Sequence, residues 1–183
     1  MSSGGTPLAT RPDYYGGTIP WLRTQEVRYT DIYDTEVKIT EKGLAESSAK
    51  WIPANCVIIA ISGATAGRSA INRIPLTTNQ HCCNLEIDSG KASYRYVFHW
   101  VSKEYERLKA LGQGARSDLN AGLIKNFPIA VPSLEEQHRV VEILDKFDAL
   151  VNDLSIGLPA ELQARRKQYE YYRDRLLTFR PAA

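Results

Sequence analysis

The groups in this sequence that could make or break bonds are few, and their spacing argues against each in turn. Ser62-Gly63-Ala64-Thr65-Ala66-Gly67-Arg68-Ser69 follows an apolar run as a phosphate-binding loop would. Three residues separate its glycines, however, and arginine follows, where a P-loop needs four residues and then lysine. The spacing speaks against nucleotide hydrolysis. Cys82-Cys83 beside His81 invites a metal reading, but adjacent cysteines point to opposite faces of a strand. With Cys56 the three thiols form no C-x-x-C pair, so neither structural zinc nor a disulfide framework is expected and the thiols read as buried. The chain carries no glycine-rich cofactor fingerprint, no Asn/Asp-Pro-Pro-Tyr, no H-E-x-x-H and no nuclease-type cluster of carboxylates and lysine. No catalytic residue and no metal ligand is assigned. What is left is binding chemistry. Lys91, Arg95, Lys103, Arg107, Lys109, Arg116 and Lys125 outnumber the acids between them and could neutralise phosphates, though the same run also reads as a solvated surface. A net charge of +2 and a pI near 8.4 are too mild to decide between the two.

The elements that must hold these groups can be read from pattern. A chain of 183 residues, 43% hydrophobic and 24% charged, has the composition of a soluble globular protein, and no apolar run reaches membrane-spanning length. The start, Met1-Ser2-Ser3-Gly4-Gly5, has neither part of a secretion signal, so a cytoplasmic protein is expected. The chain to Gly17 is turn-rich; Ile19 to Arg23 is a short extended segment, with Thr24-Gln25-Glu26 a polar loop after it. Val37 to Ile39 alternates as a strand does, and Thr40 to Ala49 reads as a threonine-capped helix ended by Trp51-Ile52-Pro53. Cys56 to Ile61, β-branched and apolar throughout, is a central strand covered on both faces. A second strand at Ser69 to Asn72 makes the glycine segment a tight reversal. Thr77 to Gln80 reads as a polar loop and Cys83 to Ile87 as a half-buried strand. From a Ser93 cap, Tyr94, Val97, Phe98, Val101, Tyr105 and Leu108 form one helical core stripe. A flexible loop, Leu111 to Ser117, leads to a short helix from Asp118 to about Lys125. Phe127 to Val131 then returns as an edge strand between Pro128 and Pro132.

The C-terminal stretch is of another kind. Val140, Leu144, Phe147, Val151, Leu154 and Leu158 alternate steps of four and three on one helical seam, which requires a partner. Gly157 and Pro159 interrupt it, and it restarts in shifted phase at Leu162, Tyr169, Tyr172, Leu176 and Phe179. Ser133 with Glu136 at the third helical position starts the helix. The arm would span roughly 65 to 70 Å at about 1.5 Å per residue, longer than the remaining domain should be wide. Two units follow: a domain over 1–132 and a helical arm over 133–183. The fold class is α+β, mixed sheet and helix followed by the arm. An amphipathic helix folded back on its own domain is the other reading of the seam.

These segments come in a particular order. Tyr14-Tyr15-Gly16-Gly17-Thr18-Ile19-Pro20-Trp21 is followed by Gly63-Ala64-Thr65-Ala66-Gly67-Arg68, then by Thr78-Asn79-Gln80. Leu119-Asn120 leads to Phe127-Pro128-Ile129, and Pro132-Ser133-Leu134-Glu135-Glu136-Gln137 opens the long helix. In this order, over nearly the whole chain, they resemble the DNA-specificity subunit of type I restriction-modification systems. The resemblance implies a target recognition domain that reads one half of a split double-stranded DNA site, with a conserved helix as spacer. Full-length members carry two such units, whose helices pack antiparallel; this chain has one, and it starts close to the segment before which family domains usually have a further strand. The resemblance also implies methyltransferase and restriction subunits as partners, with S-adenosylmethionine, ATP and magnesium bound by those partners and none by this chain.

Groove reading needs side chains that reach base edges and others that hold phosphates. The candidates are Thr24, Gln25, Thr65, Arg68, Gln80, Gln113, Arg116, Ser117, Asn120 and Lys125. Gln113 and Arg116 lead, because glycines flank Gln113 and arginine serves guanine or phosphate. Each is also readable as a solvated turn residue, and Asn120 as a helix cap. The seam is expected to pair two copies antiparallel in a homodimer, rebuilding the two-unit architecture. A helical-arm adaptor, or a dimeric DNA-binding regulator without a modification partner, is the alternative.

Overall fold

The computed structural model describes residues 1–112, 118–148 and 167–168. Its strands are β1 (Ser2–Ser3), β2 (Tyr15–Leu22), β3 (Asp31–Ile32), β4 (Lys38–Ile39), β5 (Trp51–Ile52), β6 (Val57–Ala60), β7 (Ser69–Asn72), β8 (Leu76–Thr78) and β9 (Cys82–Leu85). The helices are α1 (Glu41–Ala45), α2 (Tyr94–Lys103), α3 (Tyr105–Ala110), α4 (Ala121–Lys125) and α5 (residues 134–148). The class is α+β. One sheet has five strands in the order β1-β9-β6-β7-β3 and the other four in the order β4-β2-β8-β5. β3–β7 and β2–β8 are parallel pairs and the rest antiparallel.

β6 explains the layering. All four of its residues are buried, and alternate side chains leave opposite faces of a strand. Ile58 and Ala60 pack with Leu22, Ile52 and Leu76 of the second sheet, whereas Val57 and Ile59 pack with Val97, Phe98 and Val101 of α2, Leu108 of α3 and Ile124 of α4. The five-stranded sheet is thus covered by a sheet on one face and helices on the other. Burying one isoleucine side chain contributes about 1.5 to 3 kcal/mol. Cys82 lies in the first of these cores and Cys83 in the second, so the neighbouring thiols do point to opposite faces. Burial pushes the Cys82 thiol up to about 12 and that of Cys83 up to about 11. The outer face of the second sheet buries Ile19, Trp21 and Ile39 with Ala49, and Trp21 Nε1 donates to the Gly5 carbonyl at 2.9 Å.

Several elements differ from expectation, each for a visible reason. Thr77 and Thr78 belong to β8 and are fully buried, not a polar loop. Thr77 Oγ1 donates to the Pro20 carbonyl at 2.9 Å and Thr78 Oγ1 accepts from Asn84 Nδ2 at 2.8 Å, so burial leaves neither hydroxyl unpaired. Trp51-Ile52 does not merely end a helix; it forms β5 on the edge beside β8, and α1 stops at Ala45. The helix expected from Ser93 to Leu108 is two, interrupted at Glu104 (φ −87°, ψ 12°). Burial alone would raise the Glu104 carboxyl, but Arg107 at 2.6 Å and Lys103 at 3.3 Å outweigh it and hold it below its ordinary value. Phe127 to Val131 is no strand: two prolines in and beside it lack the N–H a ladder needs, and Tyr96 Oη donates instead to the Ala130 carbonyl at 2.8 Å. The short helix before it begins at Ala121, capped by Asn120 Oδ1, which accepts from the Leu123 N–H at 2.9 Å.

Two compact units divide the chain, Met1–Val141 and Glu142–Ala183. α5 opens as expected, with Ser133 Oγ accepting from the Glu136 N–H at 3.3 Å. Its first turns belong to the first unit because of Gln137, which is fully buried. Gln137 Oε1 accepts from the Ser93 N–H at 2.8 Å, while Nε2 donates to the carbonyls of Pro132 at 2.8 Å and Lys91 at 3.3 Å. It thereby satisfies the N-cap amide of α2. Val140 and Leu144 are half-buried and Phe147 is 60% exposed. Val151, Leu154, Leu158, Leu162, Tyr169, Tyr172 and Leu176, with the Gly157–Pro159 interruption, lie outside the described residues. Among the described residues no helix is long and apolar enough to cross a membrane.

A buried amide with three backbone partners should be costly to remove. Gln137→Ala is expected to lower the free energy of unfolding in urea by about 2 to 3 kcal/mol. His138→Ala, on the exposed neighbour, should change it by less than about 0.5 kcal/mol. Equal small effects from both substitutions would contradict the pinning role.

Candidate nucleic-acid interface

The candidate side chains are organised by the last residue of β6 and the one after it. Ala60 donates its N–H to the Arg68 carbonyl at 2.9 Å and accepts from the Gly67 N–H at 2.8 Å, which closes the reversal into β7. Ile61 donates to the His81 carbonyl at 2.9 Å and accepts from the Leu119 N–H at 2.7 Å. Three loops, 62–68, 79–81 and the approach to α4, are thereby tied to one strand end. Glycine is needed within the first of them. Gly67 has φ +86°, and a Cβ there would sit 3.2 Å from the Tyr105 ring.

A fourth loop joins them through the parallel pairing of β2 with β8, where Leu22 lies opposite Thr78. Strands that run side by side in the same direction release their loops at the same end. Leu22 accepts from the Asn79 N–H at 2.9 Å, and residues 24–26 form a 3-10 turn directly beyond β2. Thr65 Oγ1 donates to the Thr24 carbonyl at 2.9 Å, joining this turn to the glycine reversal. Glu26 steadies it, accepting from the Arg23 N–H at 3.1 Å and the Glu36 N–H at 2.8 Å.

Thr24, Gln25, Thr65, Arg68 and Gln80 are therefore brought to one end of the domain. Gln25 is exposed, and its amide oxygen, in the orientation that satisfies both groups, accepts from Arg23 at 3.1 Å. Gln80 is exposed; its oxygen accepts from the Thr6 hydroxyl and its nitrogen lies 3.1 Å from His81 Nε2. Gln113, Arg116 and Ser117 lie outside the described residues; the next described residue, Asp118, is at this end, where its Oδ1 accepts from the Gly63 N–H at 3.4 Å. Asn120 is occupied as a cap. Lys125 is not brought to this end; it borders a groove with Leu85, Ile87 and Lys91, and Leu85 lies at the end of β9 away from the residue that pairs with Ala60.

Charge is distributed differently from the sequence pattern. Arg95 pairs with Asp31 at 3.1 Å, Lys91 with Asp88 at 3.4 Å, and Lys103 and Arg107 with Glu104; Lys109 lies over the Tyr105 ring at 5.4 Å. At the loop end, Arg23 is engaged by Glu36 at 2.8 Å, whereas Arg28 and Arg68 have no carboxylate partner among the described residues. Sequence reading passed over Arg28 and Thr6. Arg28 Nε donates to the Gln25 carbonyl at 2.8 Å, a contact for which no pattern in the chain is a signal. Tyr29, also missed, has φ +62° and stands edge-on to Tyr105, with ring centroids 6.1 Å apart. A non-glycine residue held there costs about 1 to 3 kcal/mol. Together these loops present amides, hydroxyls and positive charge from a hydrogen-bonded platform, which is equipment for binding an anionic, hydrogen-bonding surface.

Comparison with known proteins agrees with this reading. Residues 2–164 match the family described as the type I restriction modification DNA specificity domain. The chain is 36% identical over 183 residues to the EcoR124I/EcoR124II type I restriction enzyme specificity subunit of Escherichia coli, covering 96% of this chain and 45% of that one. It is 33% identical over 158 residues to the MjaIX specificity subunit of Methanocaldococcus jannaschii, covering 84% of this chain and 36% of that one. The crystal structure of the HsdS subunit from Thermoanaerobacter tengcongensis has a like fold, with a TM-score of 0.63 at 15% identity over 84% of this chain and 35% of that one. The chain thus spans less than half the length of these relatives. By the match over residues 2–164, the chain belongs to the type I restriction modification DNA specificity domain family.

Proposed function

We propose that this chain is a non-catalytic, sequence-specific double-stranded DNA recognition subunit of a type I restriction-modification complex. It reads one half of a bipartite site with the loops gathered at Ala60 and Ile61, and it works in the cytoplasm with methyltransferase and restriction subunits. S-adenosylmethionine, ATP and magnesium belong to those partners. The observation that carries the reading is the convergence of Thr24, Gln25, Thr65, Arg68 and Gln80 on one end, with Asp118 held to Gly63 beside them. Phosphate neutralisation makes duplex affinity fall steeply with salt. Arg68→Ala and Arg116→Ala should each weaken binding and flatten the slope of log affinity against log salt by about one unit. Unchanged affinity and slope in both variants would remove the contact surface from this end.

The arm, in this reading, pairs antiparallel with that of a second copy and so presents two recognition domains to a gapped palindrome. Supporting this are the four-and-three spacing from Val140 to Leu158 and the exposure of Phe147. Each large apolar seam side chain buried on pairing contributes about 1.5 to 3 kcal/mol. Leu144→Asp with Val151→Asp is therefore expected to give a folded monomer in sedimentation, with lost affinity for a two-part site. A wild-type chain that sediments as a monomer at micromolar concentration, and unfolds on these substitutions, would show an arm folded onto its own domain instead.

The same arm also docks the methyltransferase subunit, through Arg165, Arg166, Lys167, Tyr171 and Arg173. Lys167, the one of these among the described residues, is exposed. Reversing charge at Arg165 and Arg166 should weaken co-purification with the methyltransferase while the domain's circular dichroism is unchanged; undiminished assembly would reject the assignment.

A further inference from the structure

We propose that Tyr29 is a DNA-contacting residue whose ring packs on a deoxyribose of the target half-site. The inference rests on the DNA-reading function proposed above. Tyrosine is the wrong residue for its backbone: at φ +62°, glycine or asparagine would sit without the same strain. Its presence therefore needs a reason in the side chain, and packing alone is not sufficient, because the residue is 38% exposed. The ring is nevertheless held in place. Its backbone N–H donates to the Ser69 carbonyl at 2.8 Å, the next residue's carbonyl accepts from the Ile71 N–H at 3.3 Å, and Tyr105 meets the ring edge-on at 82°. Tyr105 in turn lies against Gly67, so the ring is built onto the same reversal that carries Thr65 and Arg68. Burial raises the Tyr29 phenol above its ordinary value and Tyr105 adds to this, while the Arg68 guanidinium opposes it; Arg68 directly precedes Ser69, whose carbonyl holds the Tyr29 backbone. The preceding residue, Arg28, is tied to Gln25. A partly exposed aromatic ring among loops that carry Arg28 and Arg68, neither with a carboxylate partner among the described residues, is suited to the backbone of a duplex, whose sugars give the ring an apolar surface and whose phosphates give the cations charge.

The test uses the full chain and duplexes that it selects from a random-sequence pool, with affinity measured at several salt concentrations. Tyr29→Asn keeps a residue that tolerates the left-handed backbone and removes the ring, and urea unfolding gives the folded fraction of each variant. Affinity per folded molecule should fall about tenfold, the loss of one partly buried apolar contact, with the salt slope unchanged because the ring carries no charge. Tyr29→Phe should bind within about twofold of wild type. Equal affinity of the asparagine variant and wild type would overturn the assignment. A loss accompanied by a shallower salt slope would overturn it too, showing that the ring only positions Arg68. A wild-type chain that selects no duplex would overturn the proposed function itself, and this contact with it.

Discussion

Four backbone hydrogen bonds at Ala60 and Ile61 fix three of the four loops of the candidate site, and the parallel pairing of β2 with β8 brings the fourth beside them. The four bonds exist because β6 lies inside its sheet, with β7 on one side and β9 on the other, and both partners turn at this end. A side chain that must meet a base edge has to be placed to within a fraction of an ångström. Loops anchored main chain to main chain satisfy that demand while leaving their side-chain identities open. Under the proposed function, change at Gln25, Thr65 or Gln80 would thus alter what is read with little effect on the main-chain bonds that hold the loops. Thr65 and Gln80 are partial exceptions, since the Thr65 hydroxyl also bonds the Thr24 carbonyl and the Gln80 oxygen accepts from the Thr6 hydroxyl.

The same economy of polar groups holds the rest of the domain. Buried Asn72 accepts from the Cys56 N–H at 2.8 Å and donates to the carbonyls of Pro53 and Ile74, fixing the turn that launches β6. Gln137 does the equivalent for the start of α2 and the first turns of α5. Arg73 and Arg95 share Asp31, joining β3 to the end of β7 and to α2. Leaving such a buried group unpaired costs about 1 to 3 kcal/mol, comparable with burying one apolar side chain. These amides and ion pairs therefore select the arrangement that the hydrophobic faces alone would leave loose.

How much of this was legible depended on whether a residue's role was local. The run Cys56 to Ile61 could only be a doubly covered strand, the glycine reversal could only be tight, and Thr40, Ser133 and Asn120 announced their helices by capping chemistry confined to a few residues. Thr77 and Thr78 were illegible because their hydroxyls are satisfied by Pro20 and Asn84, partners from other strands. The break at Glu104 was hidden because an unbroken apolar stripe crosses it. For the site, polar loops with glycine point to Thr24, Thr65 and Arg68, which the fold brings to one end, whereas Lys125 borders a different groove, a placement that its position in sequence near Asn120 does not reveal. Tyr29 carried no signal at all, since backbone conformation at a polar loop residue is set by what packs around it.

The central claim is that DNA meets the loop end of the domain. Hydrogen–deuterium exchange of the full chain, with and without a duplex it has selected, tests this directly by reporting which amides the ligand shields. Slowed exchange in residues 24–29, 63–68 and 79–81 is the predicted result. Slowing confined to residues 85–91 and 124–131, at the groove bordered by Lys125, with the loop segments unchanged, would contradict it.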